Sequence, residues 1–362
     1  MHVLMVCARY PPFIGGTEAH VSDVSRRLTE MGHTVTVVTT VPMPSELDVC
    51  VENGVSVVRV PARRLWSDVY APRHLVAQLS AQKPDVVHVQ GYHTLVAPIA
   101  MWVAKRKHVP YVVSFHSGGH DSRTRELLRP AQRRALRRWL RSADRLVAVS
   151  DFERLIFERS LGVESGSIDV IPTGVSEVFA EVDLPAPPDP PLLISTGRLA
   201  EYKGHDLVIS ALPEVRRRVP GTRLRVLGDG GDRPSLEALA EREGVAGAVD
   251  FSFVPAADRL GLARELAASS VAAFMSSYES QGISGYEAVA TGVRTVIARG
   301  TALEELARYP GVELVDRDDR HALVDALVGQ LESPRLEGRP DVPTLSTTAA
   351  RLESLYRSVV GH

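Results

Sequence analysis

Along most of this chain, short runs of apolar, β-favouring residues alternate with stretches that repeat apolar positions every three to four residues. HVLMVCA (2–8), HTVTVVTT (33–40), VSVVRV (55–60), DVVHVQ (85–90), YVVSFH (111–116) and RLVAVS (145–150) read as strands. TEAHVSDVSRRLTEMG (17–32) reads as an amphipathic helix that stops at a glycine. The pattern breaks at EVDLPAPPDPP (181–191), where five prolines in eleven residues exclude both helix and central strand. It then restarts with LLISTG (192–197), RLRVLG (223–228), VDFSFV (249–254), SVAAFMS (270–276), RTVIA (294–298) and VELV (312–315). Strands apolar on both faces and separated by helices imply parallel sheets covered on both sides. The expected architecture is two doubly wound α/β domains of similar size facing each other across a cleft. The boundaries read 1–180 for the first domain, 181–191 for the linker, 192–342 for the second, and 343–362 for a C-terminal helix that packs back on the first.

Composition narrows the classes. At 44% hydrophobic and 24% charged the chain can bury real cores. A net charge of −2 leaves no global field for a nucleic-acid partner. Two cysteines, Cys7 and Cys50, supply neither a disulfide framework nor a zinc site, so a cytoplasmic, reducing compartment is expected. No apolar stretch approaches the roughly 20 residues that span a bilayer.

Three stretches carry chemistry. In YPPFIGGTEAHV, Gly15 and Gly16 follow the first strand and open its helix, where backbone amides can approach an anion. A tight turn without ligand is the equally simple alternative. The stretch is not the G-x-G-x-x-G fingerprint, and no acidic residue closes the second strand, so a nicotinamide cofactor is disfavoured. In STGRLAEYKGHD (195–206), Arg198 and Lys203 stand at the carboxyl end of the second domain's first strand, where phosphates bind in such sheets. The alternative there is a solvated loop with two cations.

In SSYESQGISGYEAVATG (276–292), Glu279 falls in a loop and Glu287 one to two turns into a helix. A glycosidase needs its two carboxyls about 5–10 Å apart across one bond. Residues spread over a loop and a helix suit an extended ligand better, one carboxylate on a sugar and one on a ribose. Gly282, Ile283 and Ser284 place amides at the helix start, ready for a phosphate. His88 and Gln90, with His93, sit at or just past a strand's carboxyl end, where an acceptor could bind, although core histidines fit as well. His20 reads as packing or surface.

These stretches together resemble glycosyltransferase family 4, retaining nucleotide-sugar enzymes of the GT-B fold. PPFIGGTEAHVSDVSRRLTEMGHTVTVVT is similar to the family's opening Gly-Gly loop and following strand. GRLAEYKG is similar to its Gly-Arg-Leu-x-x-x-Lys-Gly loop, and ESQGISGYEAVATG to its Glu-x7-Glu signature. The resemblance implies that Glu279 binds donor-sugar hydroxyls and Glu287 the ribose. It also implies that Arg198 and Lys203 clamp the diphosphate, that Gly16 faces the phosphates, and that His116 in SFHSGG meets the sugar end of the donor. The implied partners are a nucleoside diphosphate sugar, UDP most often, and a hydroxyl acceptor, either a soluble small molecule or a lipid or cell-envelope glycan. No metal or other cofactor is implied, since cations take the metal's place. The chain departs from the pattern at Gln281, where the family has an aromatic, at Arg294-Thr295, at Thr173, and in FSFVP, which lacks a glycine. A nucleotide-sugar epimerase on the same fold and a non-catalytic sugar-nucleotide binder are the alternatives.

One segment stands outside these motifs. Residues 122–145 hold nine arginines. Leu128, Ala135, Leu136, Trp139 and Leu140 can share one helical face, with Arg133, Arg134, Arg137, Arg138 and Arg141 on the other. A solvated helix is one reading, and a face for peripheral contact with an anionic membrane is the other.

Overall fold

The computed structural model describes every residue except 14, 44, 67, 68, 73, 118–122 and 362, and omits the side chains of 64–71 and 118–130 as well. The chain forms two compact units. The first takes in residues up to Gly174, apart from the segment 118–121, and then Leu345–His362. Its strands are β1 (His2–Cys7), β2 (Thr34–Pro42), β3 (Asp48–Glu52), β4 (Val55–Trp66), β5 (Val69–Pro72), β6 (Val86–Gln90), β7 (Tyr111–Ser114), β8 (Arg145–Ala148) and β9 (Asp169–Val170). Its helices are α1 (Gly16–Glu30), α2 (Leu75–Ala81), α3 (Val96–Arg106), α4 (Arg123–Leu140), α5 (Asp151–Leu161) and a C-terminal helix (Leu345–Val360). The sheet runs β3-β4-β2-β1-β6-β7-β8-β9, with β5 beside β4.

Alternation along β1 shows why both faces are covered. Val3, Met5 and Cys7 point into the core made with α1 and the C-terminal helix, while Leu4 and Val6 point into the core made with α2 and α3. Strand order reverses between β1 and β6, which places the loops after these strands at the switch point.

Among the described residues, β3 and β5 are the strands that pair antiparallel, both with β4. Neither was expected from the sequence. In β3 the valines Val49 and Val51 face solvent, so its hydrophobic pattern marks no buried side.

The second unit has six parallel strands in the order β12-β11-β10-β13-β14-β15. These are β10 (Leu192–Thr196), β11 (Arg223–Leu227), β12 (Val249–Ser252), β13 (Val271–Phe274), β14 (Arg294–Ala298) and β15 (Val312–Val315). Their helices are α6 (Val178–Glu181), α7 (His205–Arg218), α8 (Arg233–Arg242), α9 (Arg259–Ala267), α10 (Ile283–Ala290) and α11 (Arg320–Glu332). β10 and β13 are neighbours, with Leu193 opposite Val271, and the order reverses between them.

The chain passes from one unit to the other at Gly174–Val175, ahead of the proline-rich stretch. Residues 181–191, expected to be the linker, belong to the second unit. Phe179 and Val182 are buried in its core, and Arg339 donates to the Ala180 and Val182 carbonyls while Arg335 donates to that of Pro185. The Ala180 and Val182 carbonyls stand at the C-terminal end of α6, where a helix leaves its last carbonyls without an internal partner, and the guanidinium of Arg339 takes them. The second unit then runs on to Thr344, and the C-terminal helix lies in the first. His33 Nε2 meets Glu353 at 3.0 Å, and Thr348 donates to the Pro172 carbonyl at 2.8 Å. Among the described residues no helix is long and apolar enough to cross a membrane.

Candidate active site

In the second unit the switch point between β10 and β13 gathers the charged residues singled out by the sequence. β10 ends at Thr196, and the loop behind it carries exposed Arg198 and largely buried Lys203. Lys203 Nζ donates to Glu279 Oε1 at 2.6 Å, and Ser276 Oγ donates to the same oxygen at 2.8 Å. Burial pulls the ammonium's pKa down, but the Glu279 carboxylate and Tyr202 together outweigh it and leave Lys203 raised.

The loop is fixed by its own contacts. His205 bridges Ser195 Oγ at 2.9 Å and the Arg198 carbonyl at 3.1 Å, and burial pushes its imidazole down to about 4. Gly204 has φ +71°, and a Cβ there would stand 2.2 Å from the Met275 carbonyl oxygen, so the loop can lie on the end of β13 only with glycine.

Gly282, at φ +79°, precedes α10, and a Cβ on it would stand 2.4 Å from Leu303 Cδ2. Ile283 and Ser284 begin the helix, where the first amides have no acceptor within it. Glu287, one turn further, is 3% exposed and forms an ion pair with Arg259 on α9. The Arg259 guanidinium also lies over the Phe179 ring, 5.0 Å from its centroid. Burial raises the Glu287 pKa, against the pull of Arg259. Each glutamate of the signature therefore has its own cation. A hydrolase dyad needs the two carboxyls to split one proton-transfer task between them, and two separately neutralised carboxylates are not that arrangement.

In the first unit His88, Gln90 and His116 come together, and Gly15 and Gly16 lie at the start of α1. Gly15 is the N-cap of α1, and Gly16 opens that helix with free space where a side chain would stand. His116 follows β7 with φ +46°, a conformation uncommon outside glycine. Its neighbour Ser117 is held through backbone N–H and hydroxyl by Glu153, which also accepts from the Val149 amide. His116 Nε2 lies 2.7 Å from Gln90 Oε1.

His88, expected beside an acceptor, has no exposed surface. Its Nε2 lies 2.8 Å from Ser114 Oγ and its Nδ1 2.6 Å from the Tyr356 hydroxyl, so both nitrogens are engaged inside the protein. Residue 88 points inward because β6 is covered on both faces. Gln90, 5% exposed, links the two histidines, its Nε2 being 3.1 Å from His88 Nδ1. His20 is also buried, its ring 5.1 Å from that of His116, with Nδ1 lacking any hydrogen-bond partner.

Burial pushes His20 down to about 4 and His88 to about 3, and holds His116 well below its usual value. A histidine depressed in the fold gives its full stability above the unfolded value of about 6.5 and loses it as pH falls toward the folded pKa. His20 and His88 then each cost the first unit about 1.4 kcal/mol per pH unit on acidification below about 6.5. Glu153, raised by burial, titrates in the opposite sense and offsets part of this loss. Melting followed by circular dichroism should show a fall of at least about 5 °C between pH 7 and pH 5. A constant melting temperature over that range would exclude the buried-neutral histidines.

On α4, Leu136 and Trp139 pack against the first unit's core and Leu140 is fully buried in it. Arg134, Arg137, Arg138 and Arg141 are exposed and line a shallow open recess with Ser142. Two assignments of the helical pattern change. Ala135 is exposed, and Arg133 turns toward Phe157, 5.9 Å from its ring centroid. Leu128 lies outside the described side chains.

A family model described as Glycosyltransferase Family 4 matches residues 14–178, and one described as Glycosyl transferases group 1 matches residues 179–339. The chain is 30% identical over 351 residues to a glycogen synthase of Mycobacterium tuberculosis, covering 88% of this chain and 83% of that one. The chain belongs to glycosyltransferase family 4. A D-inositol 3-phosphate glycosyltransferase of Nocardiopsis dassonvillei is 31% identical over 323 residues, covering 79% of this chain and 74% of its own. The structure of Anabaena Alr3699/HepE in complex with UDP and glucose superposes with a TM-score of 0.71 at 17% identity, covering 99% of this chain and 95% of that one. Both units of this glycosyltransferase are thus Rossmann-like α/β domains of the GT-B class. Sequence reasoning had found Lys203, Glu279 and Glu287, but it missed Arg259, His205, Glu153 and Tyr356. Arg259 and Tyr356 carry no local signal, because their partners Glu287 and His88 lie 28 and 268 positions away in the chain, whereas His205 meets Ser195 and Arg198 within 10 positions of itself.

Proposed function

We propose that this family 4 glycosyltransferase takes a nucleoside diphosphate sugar, with UDP as the first nucleotide to test, and transfers the sugar to a hydroxyl with retention of anomeric configuration. The observation that carries the proposal is the pairing at the second unit's switch point. Lys203 and Glu279 are joined at 2.6 Å beside exposed Arg198, and Glu287 is held by Arg259 at the helix that follows.

A diphosphate arriving there meets two cations and the first amides of α10. As it leaves, its growing charge is stabilised by groups already in place, with little reorganisation. Glu279, already bonded to Lys203 and Ser276, is suited to accept from sugar hydroxyls and poorly suited to attack the anomeric carbon. That favours attack by the acceptor on the face the diphosphate leaves, through an oxocarbenium-like state. Glu287 accepts from the ribose. In the first unit His116 contributes a neutral imidazole, a hydrogen-bond partner for the transferring sugar. The UDP held in the HepE complex supports UDP, and the glycogen synthase and inositol-phosphate glycosyltransferase relatives support a hydroxyl acceptor.

Thermal shift with UDP, GDP and ADP tests the donor. The matching nucleotide at 100 times its Kd adds about 2.7 kcal/mol of stability. UDP is expected to raise the melting temperature most, and a protein indifferent to all three is no nucleotide-sugar enzyme. Incubation of the matching sugar nucleotide without acceptor then separates an epimerase, which would return an isomerised donor.

A further inference from the structure

The first unit contains a series of buried hydrogen bonds that begins far along the chain from any motif. We propose that Tyr356 on the C-terminal helix, acting through His88 and Gln90, fixes the tautomer and orientation of His116. Tyr356 and His88 are then positioning residues for the transfer reaction. This rests on the assignment of His116 to the transferring sugar.

Proton placement gives the series a direction. Tyr356 has no exposed surface, so its hydroxyl proton needs an acceptor inside the protein, and the structure offers His88 Nδ1 at 2.6 Å. A nitrogen that accepts carries no proton, so the neutral His88 ring holds its proton on Nε2, facing Ser114 Oγ at 2.8 Å. The same Nδ1 lies 3.1 Å from the Gln90 carboxamide, which must then turn its NH2 toward it. A carboxamide with nitrogen on His88 has its oxygen on His116, at 2.7 Å. An amide oxygen only accepts, so His116 holds its proton on Nε2 and its lone pair on Nδ1.

Without the phenol the reverse order becomes equally satisfiable. His88 can carry its proton on Nδ1 and accept from Ser114, Gln90 can turn over, and His116 can move its proton to Nδ1. The phenolic hydroxyl removes that degeneracy. Meanwhile the backbone next to His116, a residue at φ +46°, is held through Ser117 by Glu153, and the ring itself is held by Gln90 at 2.7 Å. Residues 88 and 90 reach both neighbours because side chains two apart on a strand share a face.

The test is ring-nitrogen NMR on the full-length protein labelled with 15N-histidine. Wild type should show His116 neutral and protonated on Nε2. Tyr356→Phe keeps the ring and its packing, and should leave His116 exchanging between both tautomers. Gln90→Met cuts the series one link on and should do the same, which provides a second reading if Tyr356→Phe folds poorly. His116 resonances that stay at their wild-type positions in a folded variant would overturn the proposal.

UDP release from UDP-glucose adds a kinetic reading. Tyr356→Phe should lower kcat about tenfold with donor KM within about twofold, as expected for misplacing a group without removing binding contacts. In a His116→Asn background the same change should have no further effect, whereas equal losses in both backgrounds would mean that Tyr356 serves packing alone. If His116→Asn itself keeps full activity, the assignment of His116 to the sugar fails, while the NMR result still decides whether Tyr356 sets its tautomer.

Discussion

Replacing Lys203 with alanine is expected to cost about 10²-fold or more in turnover while the fold stays intact by circular dichroism. Nζ is already placed at the end of β10, held 2.6 Å from Glu279 before any ligand arrives. The protein has ordered this charge during folding, so its attraction for a departing diphosphate is not spent on reorganising the loop. That attraction grows as negative charge collects on the leaving group, and an interaction stronger in the transition state appears in kcat more than in affinity. Removing the ammonium also leaves Glu279 with only the Ser276 hydroxyl of its two partners, so its hold on sugar hydroxyls loosens too. Lys203→Met, which keeps most of the stem, should be as slow as alanine, because the charge is what matters. Arg198→Ala should show a loss of similar order. Near-normal turnover in both Lys203→Ala and Arg198→Ala would remove the diphosphate clamp from the mechanism.

The Glu287–Arg259 pair has the second large expected effect. Glu287→Ala should weaken binding of free UDP about tenfold or more, measured by calorimetry, since a hydrogen bond to a charged acceptor contributes about 1.5–3 kcal/mol. The variant should also melt lower, because it strips Arg259 of its carboxylate and leaves that cation half-buried over Phe179. The partner mutation separates charge from shape. In Arg259→Ala the glutamate remains, 3% exposed, without the cation that opposes its desolvation. Its pKa, already raised, rises further, so Glu287 is protonated over more of the pH range. UDP affinity of Arg259→Ala should therefore fall as pH is lowered and recover as pH is raised, with wild type less sensitive over the same interval. UDP affinity unchanged in Glu287→Ala would make the pair a structural brace of α9 and α10.

What the sequence determined by itself was whatever depends on neighbours in the chain. The alternation of apolar strands with helices follows from the local period of side chains, and every long parallel strand lies where that period put it, most within a residue or two. The loop carrying Arg198 and Lys203 and the span from Glu279 to Glu287 were also legible. A strand end followed by glycines and cations is local chemistry, and α10 begins at Ile283, where the pattern placed it. Tertiary structure decided the rest, because it depends on residues brought together from distant positions. No local signal joins Arg259 to Glu287 or Tyr356 to His88, which are separated by 28 and 268 positions. The same holds for the boundary between the units. Five prolines mark a stretch that cannot be helix, but whether it links or packs depends on Phe179, Val182, Arg335 and Arg339 finding each other. The antiparallel β3 was hidden for a related reason, since its valines face solvent and its pairing with β4 comes from backbone hydrogen bonds that side-chain periodicity does not encode. His88 shows the same limit at one residue: a place near the carboxyl end of β6 fits an acceptor site and a core histidine alike, and only the packing of a strand buried on both faces shows that its nitrogens are used within the protein.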